Sequence, residues 1–326
     1  MTQSTGFRAV VALLVALSLL GPRAAAAADG AYTPQPALIA PRAATSLLLD
    51  VARAGEAFVA VGERGHVLRS DDGQQWTQVP LPVRATLTAV HFADASHGWA
   101  VGHDAVIVAS ADGGRSWTLQ NLEPARGAPL LDVLFVDARR GWAVGNFGLF
   151  LATDDGGATW TPVPVPAIEL EEPTLHALAR LANGHLLVVG ERGQIFRSSD
   201  AGASWKRLRP PDHLTLFGVA AWGPRGALLC GLRGRAWLRE DLERGDWRAV
   251  DTGTAQSLYG CTTDGAGRAA LVGARGTLLD VDPARRRARP LRGAGGGDLS
   301  AVLATAGGWL VAGEGGVRQI AAGEPR

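Results

Sequence analysis

The sequence has few of the residue types on which many secreted scaffolds and metal sites depend. Its 326 residues include two cysteines, two tyrosines and one methionine. Two cysteines are too few for a disulfide-rich scaffold or a cysteine-based zinc site. An excess of one charge is also missing, because 32 basic side chains face 31 acidic ones. Nucleic-acid-binding proteins usually carry a basic excess, so that class is not favoured.

Long apolar runs are missing except near the N-terminus. There a positively charged residue precedes the apolar run from Ala9 to Leu20, and the small residues Ala26 and Ala28 come just before Asp29. The run is shorter than the roughly 20 residues that a membrane span needs. The pattern therefore predicts a signal peptide over residues 1–28 that is removed on export. We expect a protein of the periplasm or another extracytoplasmic space of a bacterium.

Glycine is abundant, with 43 residues, and seven of these glycines mark an internal repeat. Each of the seven follows a short apolar run and lies 40 to 45 residues after the one before it, and the set is Gly62, Gly102, Gly145, Gly190, Gly231, Gly273 and Gly313. Every unit offers four short β-rich runs bounded by turn residues, with no helical period. A period near 42 residues with four strands per unit predicts an all-β fold, a seven-bladed β-propeller of four-stranded antiparallel blades.

The repeat also predicts the domain limits. The propeller is expected over residues 47–323, with blades starting near 47, 87, 130, 174, 215, 257 and 298. The seventh unit supplies only three strand-like runs. An unpaired edge favours aggregation, so we expect an N-terminal strand to close the ring. The apolar sequence PALIA (36–40), within the N-terminal segment 29–46, is placed to supply it.

A second motif begins at the end of the third predicted strand in units two, three and four. It reads Ser/Thr-x-Asp-x-Gly-x-Ser/Thr-Trp, an Asp-box. The hydroxyl and the aspartate can accept turn N–H groups and the glycine permits a positive φ, which predicts a structural role rather than a catalytic one. The residues are Ser110, Asp112, Gly114 and Trp117; Thr153, Asp155, Gly157 and Trp160; and Ser198, Asp200, Gly202 and Trp205.

Together, the GWAVG strands, the Gly-x-x-Gly turns and the Asp-box resemble the photosystem II stability and assembly factor family of BNR-repeat propellers. The resemblance is strongest from Leu47 to Trp205. It implies an exported, non-enzymatic assembly chaperone, and we also expect a monomer without a cofactor. The implied partner is a subunit of a membrane or periplasmic protein complex, and not a nucleic acid. In a photosynthetic organism the compartment would be the thylakoid lumen; in other bacteria the resemblance implies the scaffold and protein binding alone.

One repeated position is a candidate for partner binding. The turn after the leading glycine reads Gly-x-Arg-Gly in four units, and the other three units carry Asp104, Phe147 and Gly315 there. Equivalent turns of a propeller emerge on one face, where guanidinium groups suit the recognition of partner carboxylates. The alternative is that they pair with neighbouring acids, such as Glu63 and Glu191. The four arginines are Arg64, Arg192, Arg233 and Arg275.

The rival function is a sialidase-like glycoside hydrolase or a carbohydrate-binding propeller. Sialidases need a tyrosine nucleophile, and this chain has Tyr32 in its N-terminal tail and Tyr259 on a first strand. The acidic run from Glu169 to Glu172 is expected to be solvated in a Pro-rich loop. No catalytic residue is therefore assigned, and the histidines show no paired spacing, so no metal site is predicted.

The two cysteines, Cys230 and Cys261, fall in adjacent units. Each takes a position at which other units have valine or another apolar residue. This pattern favours buried free thiols, and it leaves a disulfide between them open.

Overall fold

Seven antiparallel sheets follow one another along the chain in the computed structural model, which describes residues 33–293 and 295–321. The first six sheets have four strands each, and the described part of the seventh has three. The predicted seven-bladed β-propeller is confirmed. The predicted signal peptide, 1–28, lies outside the described residues. Of the helices described, none is both long and apolar enough to cross a membrane.

Each blade is a meander whose strands run in sequence order from the axis outward. Blades 1 to 3 contain β1 Leu48–Ala54, β2 Ala57–Gly62, β3 Val67–Ser70, β4 Thr77–Val79; β5 Leu87–Phe92, β6 Gly98–Gly102, β7 Ile107–Ser110, β8 Thr118–Asn121; β9 Leu130–Phe135, β10 Gly141–Gly145, β11 Phe150–Thr153, β12 Thr161–Pro162. Blades 4 to 7 contain β13 Leu175–Arg180, β14 Leu186–Gly190, β15 Ile195–Ser198, β16 Lys206–Arg207; β17 Leu216–Trp222, β18 Gly226–Gly231, β19 Ala236–Arg239, β20 Arg248–Ala249; β21 Leu258–Thr263, β22 Ala269–Gly273, β23 Thr277–Asp282, β24 Arg287–Pro290; β25 Leu299–Thr305, β26 Gly308–Gly313, β27 Gly316–Ala321.

Within residues 33–293 and 295–321, helical structure is confined to short links. The α-helix α1, Pro166–Glu171, joins blades 3 and 4. Single 3-10 turns lie at Ala43–Thr45, Glu63–Gly65, His103–Ala105, Pro124–Arg126, Glu191–Gly193, Leu232–Gly234 and Ala274–Gly276.

The second strand of every blade is buried over its whole length, which explains why its sequence is continuously apolar rather than alternating. Both of its faces pack against the neighbouring blades, so no polar face remains. The first strand of every blade begins with a leucine that is at most 1% exposed, and these are Leu48, Leu87, Leu130, Leu175, Leu216, Leu258 and Leu299. Apolar clusters shared by adjacent blades therefore hold the ring together.

The leading glycine of each unit is required by a close backbone approach. A Cβ atom on Gly62 would lie 2.2 Å from the carbonyl oxygen of Leu47, and one on Gly102 would lie 2.0 Å from that of Thr86. The other five leading glycines meet the equivalent carbonyl at 2.0 to 2.3 Å. No larger residue fits at that distance. Glycine therefore recurs with the period of about 42 residues, at the point where the second strand of each blade ends against the backbone just before the first strand.

The predicted closing strand is not formed. Residues 36–40 have no strand structure. The side chain of Gln78 forms hydrogen bonds to backbone groups of this segment that a neighbouring strand would otherwise use. Its Oε1 accepts from the Ala40 N–H at 2.7 Å, and its Nε2 donates to the Leu38 carbonyl at 2.9 Å. Ala43 then packs in a cluster with Leu310 of blade 7. Side-chain packing of β1 against β25 and β26 therefore closes the ring.

The acidic run from Glu169 to Glu172 lies mostly in helix α1 rather than in the predicted loop, although Glu169 and Glu172 are exposed as the sequence predicts. Pro166 fits the first turn of a helix, and Ile168 anchors it, being 1% exposed. Glu171 accepts from Arg207 Nη1 at 2.6 Å and from Gln194 Nε2 at 2.7 Å. These contacts fix the helix onto blade 4.

The Asp-box is a compact hydrogen-bonded turn in all three blades. In blade 4, Ser198 Oγ accepts from the Gly202 N–H at 2.8 Å and donates to Asp200 Oδ1 at 2.8 Å. Asp200 accepts the N–H of Ser204 at 2.9 Å. Bonds to the Ser204 hydroxyl and backbone lower the pKa of Asp200 to about 2. Equivalent bonds hold the turns of blades 2 and 3. The aspartates act within their own turns and lie on separate blades.

The two cysteines are free thiols in the structure, Cys230 on β18 and Cys261 on β21. They meet between blades 5 and 6 in one apolar cluster. Burial, with the neighbouring Cys261 thiol, raises the pKa of Cys230. The pair fills a small apolar volume in this interface.

Replacing the buried Asp-box hydroxyl should destabilise the fold. Ser198 is fully buried, so Ser198→Ala leaves the Gly202 N–H without its acceptor. The expected loss in the free energy of unfolding is about 1 to 3 kcal/mol, measured by urea unfolding. The exposed Ser96 provides the control, and Ser96→Ala should change stability by less than about 0.5 kcal/mol. Equal effects of the two substitutions would contradict the structural role of the box.

Two aspartates connect first strands of neighbouring blades. Asp50 Oδ2 accepts from the Val90 N–H of blade 2 at 2.8 Å. Asp132 Oδ2 accepts from the Leu178 N–H of blade 4 at 2.7 Å. Burial, with the charge of Asp50 adding to it, raises the pKa of Asp132 to about 7. The carboxylic acid is therefore favoured in the folded state at acidic pH.

This shift predicts that the cost of Asp132→Ala depends on pH. A folded-state pKa above the ordinary value means that the contribution of Asp132 to stability is fully present below about pH 4 and is lost as pH rises through about 7. Urea unfolding should therefore show a larger loss of stability at about pH 5 than at about pH 8. A larger loss at the higher pH would show that ionised Asp132 is the stabilising form.

Candidate protein-binding site

The turns between second and third strands all lie on one face of the ring. In each blade the residue after the leading glycine donates its N–H to the carbonyl just before the first strand, as Glu63 does to Leu47 at 3.1 Å. His103, Asn146, Glu191, Leu232, Ala274 and Glu314 do the same. Every turn therefore lies at the end of the blade where its first strand begins. The structure thus brings the four predicted arginines to one face, on blades 1, 4, 5 and 6.

The four arginine side chains are exposed, and their local ion pairs are weak. The Arg64 side chain is 77% exposed and lies 3.9 Å from the Glu63 carboxylate. The Arg192 side chain is 70% exposed and lies 3.6 Å from that of Glu191. Among the described residues, no acidic side chain lies within 4 Å of the guanidinium of Arg233 or Arg275. Exposed pairs at such distances contribute little to stability, so all four guanidinium groups are accessible to a partner.

The same turn holds these arginines in an unfavourable backbone conformation. Their φ angles lie between 55° and 58°, in the left-handed region. The equivalent residues Asp104 and Phe147 are also left-handed, at 60° and 56°. A side chain costs about 1 to 2 kcal/mol there, a cost that glycine avoids. The turn itself does not require arginine at these four positions, so they stay the predicted partner-binding residues.

A basic groove lies beside Arg233, at the rim between blades 5 and 6. It has a volume of about 770 Å³, and its lining includes Arg235, Arg285 and Arg286. Trp237 also lines it. A groove with several guanidinium groups suits a peptide that offers carboxylates.

Comparisons with known proteins decide the family. The family model described as photosynthesis system II assembly factor YCF48 matches residues 68–128 and 124–286, more than half of the chain. This chain belongs to the YCF48 assembly factor family. It is 38% identical over 137 residues to the photosystem II assembly protein Ycf48 of Thermosynechococcus vestitus. That alignment covers 42% of this chain and 39% of the relative, so it spans about two fifths of each protein.

Solved YCF48 structures share the fold. YCF48 from Cyanidioschyzon merolae superposes with a TM-score of 0.67 at 16% identity, over 84% of this chain and 95% of that one. YCF48 bound to a D1 peptide gives 0.67 at 18% identity, over 88% and 96%. An ancestral GH74 enzyme also shares the fold, with 0.59 at 15% identity, over 77% and 38%. At such low identities these likenesses concern the fold alone.

In this YCF48 family member, the sequence predicts the four arginines at the repeated position. It does not predict the arginines of the groove. Arg235 follows the repeated turn, at a position where the other blades have no arginine, and Arg285 and Arg286 lie in the β23–β24 hairpin. The signal that could have revealed two of them is the basic run ARRRAR, residues 284–289, in an otherwise neutral chain. The hairpin that contains this run meets the outer edge of blade 5, where the Asp251 N–H donates to the Arg286 carbonyl at 2.8 Å.

A sialidase-like centre is not assembled around Tyr259 in this propeller. Its hydroxyl donates to Asp298 Oδ2 at 3.5 Å, and burial raises its pKa. The cavity that Tyr259 lines has no arginine among its described lining residues, whereas a sialidase would require several. Tyr32 lies outside the described residues. Over the described ranges, no three His, Cys, Asp or Glu side chains come together as a metal site.

The left-handed turn predicts an unusual order of substitution effects. At Arg192, glycine should give a higher free energy of unfolding than alanine, by about 1 kcal/mol, because only alanine keeps a Cβ at positive φ. Arg209 is the matched control, since it is exposed and its φ is not positive. There alanine should be at least as stable as glycine. Urea unfolding of the four variants would contradict backbone strain at position 192 if the alanine variant were also more stable than the glycine variant there.

Proposed function

We propose that this protein is an exported, non-enzymatic scaffold that binds a segment of a membrane or periplasmic protein during assembly of a complex. The observation that carries the proposal is the presence of four exposed arginines in one repeated, left-handed turn on one face. Membership of the YCF48 family supports it. The relative of known structure that holds a D1 peptide shows that a propeller of this family can bind a peptide.

The chemistry of the face suggests which part of the partner binds. A guanidinium group forms two parallel hydrogen bonds to a carboxylate, and it does so better than lysine. Arg233 belongs both to the arginine face and to the groove of about 770 Å³. We therefore propose an acidic segment or a free C-terminus as the bound element.

We further propose that the protein acts as a monomer outside the cytoplasm. The support is the apolar run and the small residues near the N-terminus, which are typical of a cleaved signal peptide. In a photosynthetic organism the partner would be a photosystem II subunit such as D1. In another organism the same face would serve a different envelope complex.

Loss of the four guanidinium groups should weaken binding without unfolding the protein. Arg64, Arg192, Arg233 and Arg275 are replaced together by alanine, and binding of a fluorescein-labelled D1 C-terminal peptide is measured by anisotropy. We expect at least a tenfold loss of affinity, because each position removes an accessible charge. Affinity for the unmutated protein should fall with salt, since the Debye length shrinks from about 10 Å at 0.1 M to about 3 Å at 1 M.

A charge-matched control uses arginines from turns at the opposite end of the strands. Arg115, Arg139, Arg140 and Arg225 lie in the β7–β8, β9–β10 and β17–β18 turns. Replacing these four with alanine changes net charge equally and should leave the affinity within about twofold. The same labelled peptide with a C-terminal amide tests whether the terminal carboxylate is recognised. Equal losses from the two quadruple variants would contradict the arginine face as the binding site.

A further inference from the structure

The axis of the propeller contains a channel with a chemistry different from that of the arginine face. It has a volume of about 200 Å³ and is lined by the first strands of all seven blades. In each first strand the register shifts just after the initial leucine, so one bulged residue follows at the mouth of the channel. These seven residues are Leu49, Thr88, Leu131, His176, Phe217, Tyr259 and Ser300.

Three aromatic rings form an arc on one side of this mouth. His176 and Phe217 meet edge to face at 5.0 Å between ring centroids, and Phe217 and Tyr259 meet at 5.7 Å. All three side chains are only partly buried and line the channel rather than the core. Aromatic side chains stabilise the fold by burial, so an arc left beside open space favours contact with a ligand.

Two carboxylates line the same channel on blades 1 and 3. Asp50 and Asp132 keep contact with the channel space, and protein surrounds them on their other sides. Each accepts two backbone N–H bonds of 2.7 to 2.8 Å, which orient its carboxylate. Across the described residues neither has an arginine, lysine or histidine nitrogen within ion-pair distance, and no arginine or lysine lines the channel.

Blade packing alone does not explain these acids. The other five first strands have Ala89, Ala177, Gly218, Gly260 and Ala301 at the same position, and those blades pack without a carboxylate. Removing charge from water is costly unless a partner compensates it. The chain places two carboxyl groups without a cationic partner among the described residues in one small cavity with an aromatic arc, and the other first strands have none at this position.

Acidic groups also lie at the mouth. Asp298 accepts the Tyr259 hydroxyl, and the Asp298 N–H donates to Glu314 Oε2 at 3.2 Å. Burial lowers the pKa of His176. The charge of the nearby Glu191 acts in the opposite direction and favours the protonated imidazole. The entrance is therefore negative, while the arginines lie farther out on the turns.

We propose that the axial channel binds a small organic cation of the alkylammonium class. The carboxylates of Asp50 and Asp132 neutralise the ammonium charge, and the rings of Phe217 and Tyr259 contact its alkyl groups by cation–π attraction. The channel volume is that of about six or seven water molecules at ~30 Å³ each, which matches choline or n-butylammonium. This binding does not depend on the proposed function of the arginine face.

The test compares choline with 3,3-dimethyl-1-butanol, a neutral molecule of nearly the same shape. Binding to the full protein is measured by isothermal titration calorimetry at about pH 8, where both carboxylates are largely ionised. We expect choline to bind at one site with a Kd of about 1 mM or tighter, and n-butylammonium to compete with it. The neutral alcohol should bind at least tenfold more weakly. Failure of both cations to bind up to about ten times that concentration would overturn the proposal.

Variants then place the cation in the channel. Phe217→Leu keeps an apolar side chain but removes the π face, and Asp132→Asn keeps the shape but removes the charge. Each should weaken choline binding at least tenfold while the far-ultraviolet circular dichroism spectrum stays unchanged. The Arg64, Arg192, Arg233 and Arg275 quadruple variant should bind choline normally, and Phe217→Leu should bind the D1 peptide normally. Unchanged choline affinity in both channel variants would show that the cation binds elsewhere.

Discussion

In each blade the leading glycine packs closely against the carbonyl group just before the first strand. The rest of this propeller depends on that constraint. With a carbonyl oxygen 2.0 to 2.3 Å from where a Cβ would lie, no other residue fits. The next residue then donates its N–H to that same carbonyl, in all seven blades. This bond fixes the end of the second strand against the start of the first. It also determines that the following residue points outward on one face, and it does so in a left-handed conformation.

The sequence predicts the features that recur, since recurrence is visible without coordinates. The glycine period gave seven blades, and the shared position of Arg64 and Arg192 gave a common face. Features that occur once were missed because each depends on a single local contact. Gln78 occupies the hydrogen-bonding groups that PALIA would need to become a strand, and Ile168 anchors a helix where Pro-rich sequence indicated a loop. Arg285 and Arg286 of the groove likewise belong to one hairpin and to no repeated motif.

The second residue of each turn between second and third strands, which is Arg64 in blade 1, shows how a repeat can carry function. The fold imposes the left-handed conformation there on six blades, regardless of side chain. Selection for stability alone would favour glycine or asparagine at every one of them. Arginine at four and phenylalanine at one therefore represent stability given up at the surface. The Asp-boxes behave in the opposite way, because the hydroxyl and carboxylate groups that they add bond within the turn.

The two candidate sites share one face but differ in charge and shape, and this difference limits what each can bind. The arginines lie on open turns, where a flexible peptide can reach several of them at once. The channel is narrow and its carboxylates are held by backbone N–H groups of blades 1 to 4, so a ligand must be small. An acidic peptide is attracted to the turns and repelled from the axis. The same face can therefore hold a protein partner and a small cation without direct competition.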